Sequence, residues 1–320
     1  MFYVNPSRRL FAAGAMLMVS AVSAFAQVNQ IRLIFPFSPG AGGDGLARLI
    51  ADSLKNELGE PVVVENRVGA DGRIGVRAVV NAKPDGRTIL LSPIAPIVLH
   101  PVVFPDLPYD PRKELAPVSL VARFEYALSA GPLSVTTNLK DTVGWLKTNR
   151  DKSAFGSPGN GGLPKYLGIL LGEQAGTELR HVPYRGSLPI LNDVVAGQLA
   201  LGITPASDAF TLHEADKLRI VATSGDKRSP LLPDVPTFKE VGYDIAGSGW
   251  YSLYLPAGTP RDIIDRYSKV VAKAVRDPFA ARSFGTVGLT LVGSTPDELA
   301  AVQEADYKRW EGLARRFQGE

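Results

Sequence analysis

The chain has 320 residues, of which 45% are hydrophobic and 21% charged, and its formal net charge at pH 7 is +3. This length is sufficient for a buried core and predicts two domains, and the nearly balanced charge argues against a nucleic-acid-binding protein. The sequence contains no cysteine, which excludes a disulfide framework and thiolate chemistry.

The first 26 residues have the pattern of an export signal. Arg8 and Arg9 precede an apolar run from Leu10 to Val22, and the triplet from Ala24 to Ala26 matches a small-x-small cleavage site. The apolar run is shorter than the ~20 residues that a membrane-spanning helix requires. We therefore expect cleavage after Ala26 and export by the secretory or the twin-arginine route.

The stretch 31–65 reads as a strand, a glycine loop, a helix and a parallel strand. The apolar IRLIFPF is followed by SPGAGGDG, and PVVVE forms the second strand. Asp44 is the predicted N-cap of the helix and Gly59 its end. Apolar residues recur along one helix face, at Leu46, Ile50, Leu54 and Leu58. Because a helix N-terminus has unpaired N–H groups, the sequence predicts an anion-binding site at this loop.

The same loop supports two other interpretations. GAGGDG matches G-x-G-x-x-G, and Glu65 ends the next strand, where a dinucleotide-binding unit places its ribose-binding acid. Against this, residues 36–39 separate the strand from the first glycine, and Asp44 would put a carboxylate beside the pyrophosphate. The third interpretation is a tight turn whose glycines permit close packing.

Strands and helices continue to alternate along the chain, which predicts an α/β fold with mostly parallel sheets covered by helices. A strand at 88–91 precedes the apolar segment 92–101, predicted as a loop at the carboxyl edge of the sheet, where ligands bind in open α/β folds. Two short strands are predicted at 118–122 and 126–129. Thr137 or Asn138 can cap the helix that follows.

A second strand, glycine loop and helix follow in the next half of the chain. The strand at 153–157 leads into PGNGG, and a helix begins at about Pro164. This loop is a second candidate for anion binding, and it would face the first loop across a cleft. The strand at 178–182 ends in PYRGS, where Ser187 is a predicted N-cap, and the strand at 199–203 ends at Thr204.

Residues typical of catalysis are scarce. His100, His181 and His213 lack metal-binding spacing, and Gly-x-Ser-x-Gly is absent. His181 is predicted to be a hydrogen-bonded structural residue. We predict no catalytic residue, metal or cofactor.

Several motifs, taken in order, carry a resemblance to a known family. They are PFSPGAGGDGLAR, EPVVVENRVGADGRIG, PDGRTILL, LPYDPRKELAPVSLVA, HVPYRGSLPILNDVVAGQ, KRSPLLPDVPTFKEVGY and SGWYSLYLPAGTP. The sequence resembles the receptors of tripartite tricarboxylate transporters, the Bug or TctC-like periplasmic solute-binding proteins. The resemblance covers nearly the whole chain after residue 26.

The resemblance implies a type II-like clamshell of two domains, each a mostly parallel sheet flanked by helices, with two crossovers between them. One domain would comprise 27–124 and 248–320, and the other 125–247. A small organic carboxylate would lie between the two glycine loops. The implied ligand-binding residues are Phe37, Ser38, Gly40, Gly42, Gly43, Asp44, Ser157, Gly159, Asn160, Gly161, Gly162, Tyr184, Gly186 and Ser187. Ser92 and Thr204, at two strand ends, complete the predicted set.

This chain departs from the family pattern at several of these positions. Gly43 stands where Thr is usual, Thr204 where Asp is common, and Lys165 where His is frequent. Fewer acids and a more apolar lining indicate an aromatic or otherwise apolar carboxylate rather than an aliphatic polycarboxylate or an amino acid.

The resemblance implies a monomeric, periplasmic binding protein without enzymatic activity, which delivers its ligand to the membrane subunits of a tripartite transporter. It implies no nucleic-acid partner. The alternatives are an exported dinucleotide-dependent enzyme that uses the GAGGDG loop, and a ligand sensor for a membrane kinase.

Overall fold

A computed structural model describes residues 30–286 and 288–316 of the chain. The predicted export signal and its cleavage site lie outside the described residues. No described helix is both long and apolar enough to cross a membrane.

Strands and helices alternate from the start of the described chain. The first part consists of β1 (Ile31–Phe35), α1 (Gly42–Leu58), β2 (Val62–Asn66), α2 (Arg73–Val80), β3 (Thr88–Pro93), α3 (His100–Val103), α4 (Pro111–Glu114) and β4 (Leu115–Ala130). The middle part consists of α5 (Leu139–Thr148), β5 (Ala154–Pro158), α6 (Leu163–Ala175), β6 (Arg180–Tyr184), α7 (Ser187–Val195), β7 (Leu201–Pro205), α8 (Ala206–Glu214) and β8 (Arg219–Thr223). The last part consists of β9 (Ser248–Pro256), α9 (Arg261–Val275), α10 (Pro278–Gly285), β10 (Thr290–Leu291) and α11 (Pro296–Arg316).

The strands form one mixed sheet in the order β2-β1-β3-β9-β4-β7-β5-β6, and β8 and β10 also pair with β4. Pairing is parallel at the two ends of this order, between β1 and its neighbours β2 and β3 and between β5 and its neighbours β6 and β7. It is antiparallel in the centre, where β4 and β9 run back along the sheet. The predicted α/β class is confirmed.

β4 joins the two ends of the sheet. Its first part, from Leu115 to Glu125, pairs with β9, and its last part, from Tyr126 to Ala130, pairs with β7 and β8. The prediction of two short strands, at 118–122 and 126–129, is wrong in this respect. The two predicted strands are one continuous strand. The charged residues Arg123 and Glu125 interrupt the apolar sequence pattern between them, but their backbone remains paired with β9.

Several helix ends agree with the predictions. Gly59 ends α1 in the left-handed conformation, with φ of 68°, and Asn138 caps α5 by accepting a hydrogen bond from the Asp141 N–H. Two cap predictions are wrong. Asp44 lies inside the first turn of α1, whose N-cap is Ala41, and Ser187 is the first residue of α7, whose N-cap is Gly186.

The segment 92–101 is not the predicted loop. Pro93 ends β3, a π-helical turn runs over Ala95–Leu99, and α3 begins at His100. Ile94, Ile97 and Leu99 are at most 1% exposed. Because this segment is buried, its backbone polar groups must be paired, and helical hydrogen bonds provide the partners.

Candidate functional site

Four helix N-termini meet at the carboxyl edge of the sheet. Ala41, Gly162, Gly186 and Pro205 are the N-caps of α1, α6, α7 and α8, and all four line one cavity between β1, β3, β5 and β7. A parallel strand followed by a helix places the helix N-terminus at the strand's carboxyl end. The two glycine loops therefore lie at the same cavity, as the sequence predicts.

We call this space the inner cavity. Its volume is about 60 Å³, which is smaller than the ~300 Å³ or more of typical small-molecule sites. A ligand of several carbon atoms therefore enters only when the surrounding walls separate. The lining residues are Phe35, Phe37, Ser38, Ala41, Pro93, Ile94, Ala95, Phe124, Tyr126, Pro158, Gly162, Pro164, Gly186, Ser187, Pro205, Asp208 and Tyr251.

The positive potential in the inner cavity comes from backbone N–H groups at helix N-termini rather than from cationic side chains. The described lining contains no lysine, arginine or histidine. Each helix N-terminus carries a partial positive charge of roughly +0.5. Four such termini around one space favour an anion there without any cationic residue.

An aspartate from the second half of the chain occupies one of these termini. The Gly42 N–H, at the start of α1, donates a hydrogen bond of 2.9 Å to Asp208 Oδ1, and Ser207 Oγ lies 3.3 Å from the same oxygen. Asp208 Oδ2 is shielded from solvent and has no hydrogen-bond partner in the described structure. Burial raises the pKa of Asp208, and the nearby Ser187 hydroxyl, the Gly42 N–H and the Ser207 hydroxyl oppose this shift.

A second aspartate makes the converse contact. The Asn160 N–H, in the second glycine loop, donates a hydrogen bond of 2.7 Å to Asp71 Oδ2 from the first part of the chain. Asp71 has a φ of 56°, in the left-handed region that few non-glycine residues occupy. Each glycine loop thus donates an amide hydrogen bond to an aspartate that approaches from the opposite side of the cleft.

An outer chamber of about 370 Å³ adjoins the inner cavity at Phe37, which lines both. Asp71, Tyr184 and Arg185 are part of its wall. Ser38 Oγ donates a hydrogen bond of 3.2 Å to the Arg185 carbonyl oxygen at this boundary. The outer chamber has an exposed cation and is the wider part of the cleft.

The structure brings five of the predicted site residues to the inner cavity. They are Phe37, Ser38, Gly162, Gly186 and Ser187. Tyr184 lines the outer chamber instead, and its hydroxyl donates a hydrogen bond of 2.6 Å to Asp193. Gly42 does not line the inner cavity, but its N–H donates a hydrogen bond to Asp208, which does.

The remaining predicted residues of the first loop, Gly40, Gly43 and Asp44, do not line the inner cavity. Asp44 is 4% exposed, and its carboxylate accepts hydrogen bonds from Gly40 N–H, Arg48 and Asn66. Burial opposes ionisation of Asp44, but these hydrogen bonds prevail and lower its pKa. A side chain at Gly43 would overlap the rings of Phe35 and Tyr251, with Cβ 2.5 and 2.8 Å from them. Gly43 thus serves close packing.

In the second loop, several predicted residues are also occupied by structural contacts. Ser157 is fully buried and hydrogen-bonded to His181 Nε2 at 2.8 Å. Burial, aided by Lys165, lowers the pKa of His181 to about 4. His181 is therefore a hydrogen-bonded structural residue, as predicted. A Cβ at Gly161 would lie 2.7 Å from the Phe104 ring.

The other predicted residues turn away from the inner cavity. Gly159 donates its N–H to the Tyr184 carbonyl oxygen, and Asn160 donates to Asp71. The hydroxyl groups of Ser92 and Thr204 are buried and bond to the carbonyl oxygens of Pro93 and Pro205. These four residues support the strand ends and the second loop.

Sequence reasoning missed the aromatic and acidic residues of the site. Phe35, Phe124, Tyr126, Tyr251 and Asp208 all line the inner cavity. Phe35 belongs to the predicted strand IRLIFPF and Tyr251 to the motif SGWYSLYLPAGTP, but neither pattern by itself indicates a side chain at the ligand site. Strand alternation and the position of Asp208 in a first helical turn are the signals that could have indicated them.

No observation favours a dinucleotide at the GAGGDG loop. Glu65 Oε2 lies 2.9 Å from Arg67 Nη2, so the carboxylate assigned to the ribose has an ionic partner. The Gly42 N–H is bound to Asp208. Among the described residues, no group of three or more histidine, aspartate or glutamate side chains could hold a metal ion.

A larger groove lies elsewhere on the molecule. Its volume is about 590 Å³, and residues of α9, α10 and β10 line it together with Arg123 and Glu125. It receives no residue of either glycine loop. The inner cavity, where both loops and four helix N-termini meet, is the candidate functional site.

Comparison with known proteins provides an independent line of evidence. The model of the tripartite tricarboxylate transporter family receptor matches residues 46–318. A UPF0065 protein encoded in the tcbD-tcbE intergenic region of Pseudomonas sp. strain P51 is 31% identical over 97% of this chain and 94% of its own length.

Solved structures show the same similarity. The periplasmic binding protein BugD superposes with a TM-score of 0.85 at 30% identity, over 90% of this chain and 97% of its own. Rpa4515 of R. palustris, solved with adipate, superposes with a TM-score of 0.84 at 29% identity, over 89% of this chain and 96% of its own. These neighbours have the two-domain periplasmic-binding-protein fold.

Proposed function

The chain belongs to the family of tripartite tricarboxylate transporter receptors, and on this premise we propose that it captures a small organic carboxylate in the inner cavity for delivery to a membrane transporter. The observation that carries the proposal is the meeting of four helix N-termini at a cavity whose described lining has no cationic side chain. Such a site attracts an anion through backbone N–H groups.

The relative with a bound ligand supports the same class of ligand, since Rpa4515 was solved with adipate. Ser38 and Ser187 line the inner cavity beside these N-termini. We propose that the loop residues nearest them, Gly162 and Gly186, lie against the ligand carboxylate.

The proposed mechanism is closure of two domains on the ligand, divided at 27–124 plus 248–320 and 125–247. The pairing of β4 supports this division, because its partner changes from β9 to β7 and β8 after Glu125. Closure is favoured by a ligand only through contacts made in the closed form. The protein acts in this proposal as a monomeric, periplasmic binding protein, with membrane subunits of a tripartite transporter as its partner, and not as an enzyme.

The test is thermal unfolding of the purified protein with a broad panel of organic carboxylates. A ligand that binds the folded state raises the melting temperature by mass action. Calorimetry of each hit at several salt concentrations then gives its affinity. NAD and NADP are tested in the same assay. If no carboxylate of the panel raises the melting temperature, the proposal is refuted. A shift with NAD or NADP alone would favour the dinucleotide enzyme.

A further inference from the structure

The inner cavity contains a carboxylate of its own. Asp208 is the single aspartate or glutamate in the described lining. Its Oδ1 accepts the hydrogen bond from Gly42, but its Oδ2 is shielded from solvent and has no partner. A buried acceptor without a partner carries the full cost of its lost hydration. A ligand group that donates to Oδ2 would remove this cost.

No described side chain of the cavity neutralises Asp208. The lining has no lysine, arginine or histidine. Asp208 itself lies in the first turn of α8, and the N-terminus of α1 donates its Gly42 N–H to this carboxylate. The N-termini of α6 and α7 therefore remain for the ligand anion. A second carboxylate next to Asp208 would be repelled, and an alkyl group there would leave Oδ2 unpaired.

Aromatic rings form a continuous wall of the same cavity. We call the five rings of Phe37, Phe35, Tyr251, Phe124 and Tyr126 the aromatic wall. Neighbouring ring centroids along it are 6.1, 6.3, 4.8 and 5.3 Å apart. The electron-rich faces of such rings attract a cation within about 6 Å.

Tyr251, a member of the aromatic wall, lines the inner cavity together with Asp208. Burial, aided by the charge of Asp208, raises the pKa of Tyr251 well above its ordinary value. Tyr251 therefore stays neutral. A cationic group in the inner cavity beside Asp208 and Tyr251 would contact both a carboxylate and an aromatic surface. These two groups together are suited to bind an ammonium nitrogen.

We propose that the ligand of this protein is an amino-carboxylate, whose ammonium nitrogen lies between Asp208 and the aromatic wall while its carboxylate faces the N-termini of α6 and α7. This inference rests on the proposed function and names its ligand class. It reverses the sequence-based preference for an apolar carboxylate over an amino acid, because that preference did not include Asp208.

The experiment uses triplets of carboxylates that share one linker and differ only in the terminal group. Hexanoate, 5-aminopentanoate and adipate end in a methyl, an ammonium and a carboxylate group. The triplet of 3-ethylbenzoate, 3-(aminomethyl)benzoate and 3-(carboxymethyl)benzoate does the same with an aromatic body. Calorimetry at pH 7 should show the ammonium member of at least one triplet binding about tenfold or more tightly than the other two, since hydrogen bonds between charged groups are stronger than those between neutral groups.

The substitution Asp208→Asn removes the charge and keeps an oxygen that can accept from the Gly42 N–H. It should abolish the preference for the ammonium member. The matched control is Asp262→Asn, the same change in the first turn of α9 at an exposed position, which should leave the preference intact. If Asp208→Asn does not fold, the affinities of the three members of each triplet for the wild-type protein still test the proposal.

The outcomes separate the two proposals. Equal or tighter binding of the methyl or carboxylate member in every triplet would overturn the amino-carboxylate inference and leave the proposed function standing. A loss of affinity in Asp208→Asn that is equal for all members would also overturn it, because Asp208 would then only position the loop. Failure of every triplet and of the whole carboxylate panel would overturn the proposed function itself.

Discussion

At the scale of single residues, this protein buries polar groups that its surroundings keep neutral. His100 is 1% exposed, its ring stands edge-on to Phe104 at 4.9 Å, and its Nδ1 has no partner in the described structure. Burial, aided by the nearby positive charge of Arg73, lowers the pKa of His100 to about 3. The folded protein therefore holds a neutral imidazole.

This neutral histidine predicts a loss of stability in acid. The unfolded chain protonates His100 near pH 6.5 and the folded protein only near pH 3, so the unfolded state binds the extra proton between these values. The free energy of unfolding should fall as the pH drops through this window, with a contribution from His100 that approaches about 1.4 kcal/mol per pH unit. Above pH 6.5 this contribution does not change.

Urea unfolding of the wild type and of His100→Gln at pH 7, 6 and 5 measures this contribution. The variant should lose less stability between pH 7 and 5 than the wild type. His213→Gln is the matched control, because His213 lies at the partly exposed end of α8 and should change the slope less. Identical slopes for the wild type and His100→Gln would contradict the assignment.

At the scale of elements, the start of α1 depends on how closely it approaches α8. A Cβ at Gly42 would lie 3.2 Å from both Asp208 Oδ1 and Ser207 Oγ and 3.3 Å from Leu289. These distances are shorter than ordinary van der Waals contact, so even one added methyl group must displace α8 or the loop. At Gly45, one turn further along, the nearest atom to a Cβ is a carbon of Phe284 at 3.5 Å.

The pair Gly42→Ala and Gly45→Ala tests this dependence. Gly42→Ala should weaken binding of a carboxylate hit by about tenfold, since overpacking costs typically about 1–3 kcal/mol. Gly45→Ala should leave the affinity unchanged, because its Cβ has room. Both variants should keep a wild-type circular dichroism spectrum. Equal affinities of the two variants would show that the first glycine loop has a packing role alone.

At the scale of the whole molecule, two hydrogen bonds join opposite sides of the cleft. Asp208 binds Gly42 across 166 residues of sequence, and Asp71 binds Asn160 across 89. In both cases an aspartate carboxylate accepts a hydrogen bond from a loop N–H group that could otherwise donate to a ligand carboxylate. The protein thus places a carboxylate of its own against an amide of each glycine loop.

Replacement of Asp71 by asparagine should open the cleft in the absence of ligand. Asparagine tolerates the left-handed backbone of this position, but it lacks the charge that strengthens the bond from Asn160. Small-angle scattering should show a larger radius of gyration for Asp71→Asn than for the wild type. The control Asp216→Asn keeps the same backbone conformation, with a φ of 54°, at a site outside the cleft, and should scatter like the wild type. An unchanged radius in Asp71→Asn would show that this contact does not hold the cleft.

Much of this organisation could be predicted from local sequence. The period of Leu46, Ile50 and Leu54 predicts α1, and Gly59 and Asn138 are predicted helix ends that the structure confirms. Helical period, caps and glycine loops act over a few residues, so their physics can be read from adjacent positions. The same reasoning placed both glycine loops at one cleft, because a strand followed by a helix puts the loop at the carboxyl edge of the sheet.

The alternation of strands and helices, the two amide-rich loops and the class of protein thus follow from local patterns in the amino-acid sequence. The tertiary structure alone decided which groups face these loops: Asp208 at Gly42, Asp71 at Asn160, and Tyr251 and Phe124 in the aromatic wall. Charge and ring contacts of this kind act through space between residues far apart in the chain. They depend on how β4 and β9 bring the two sets of strands together, which no local pattern encodes.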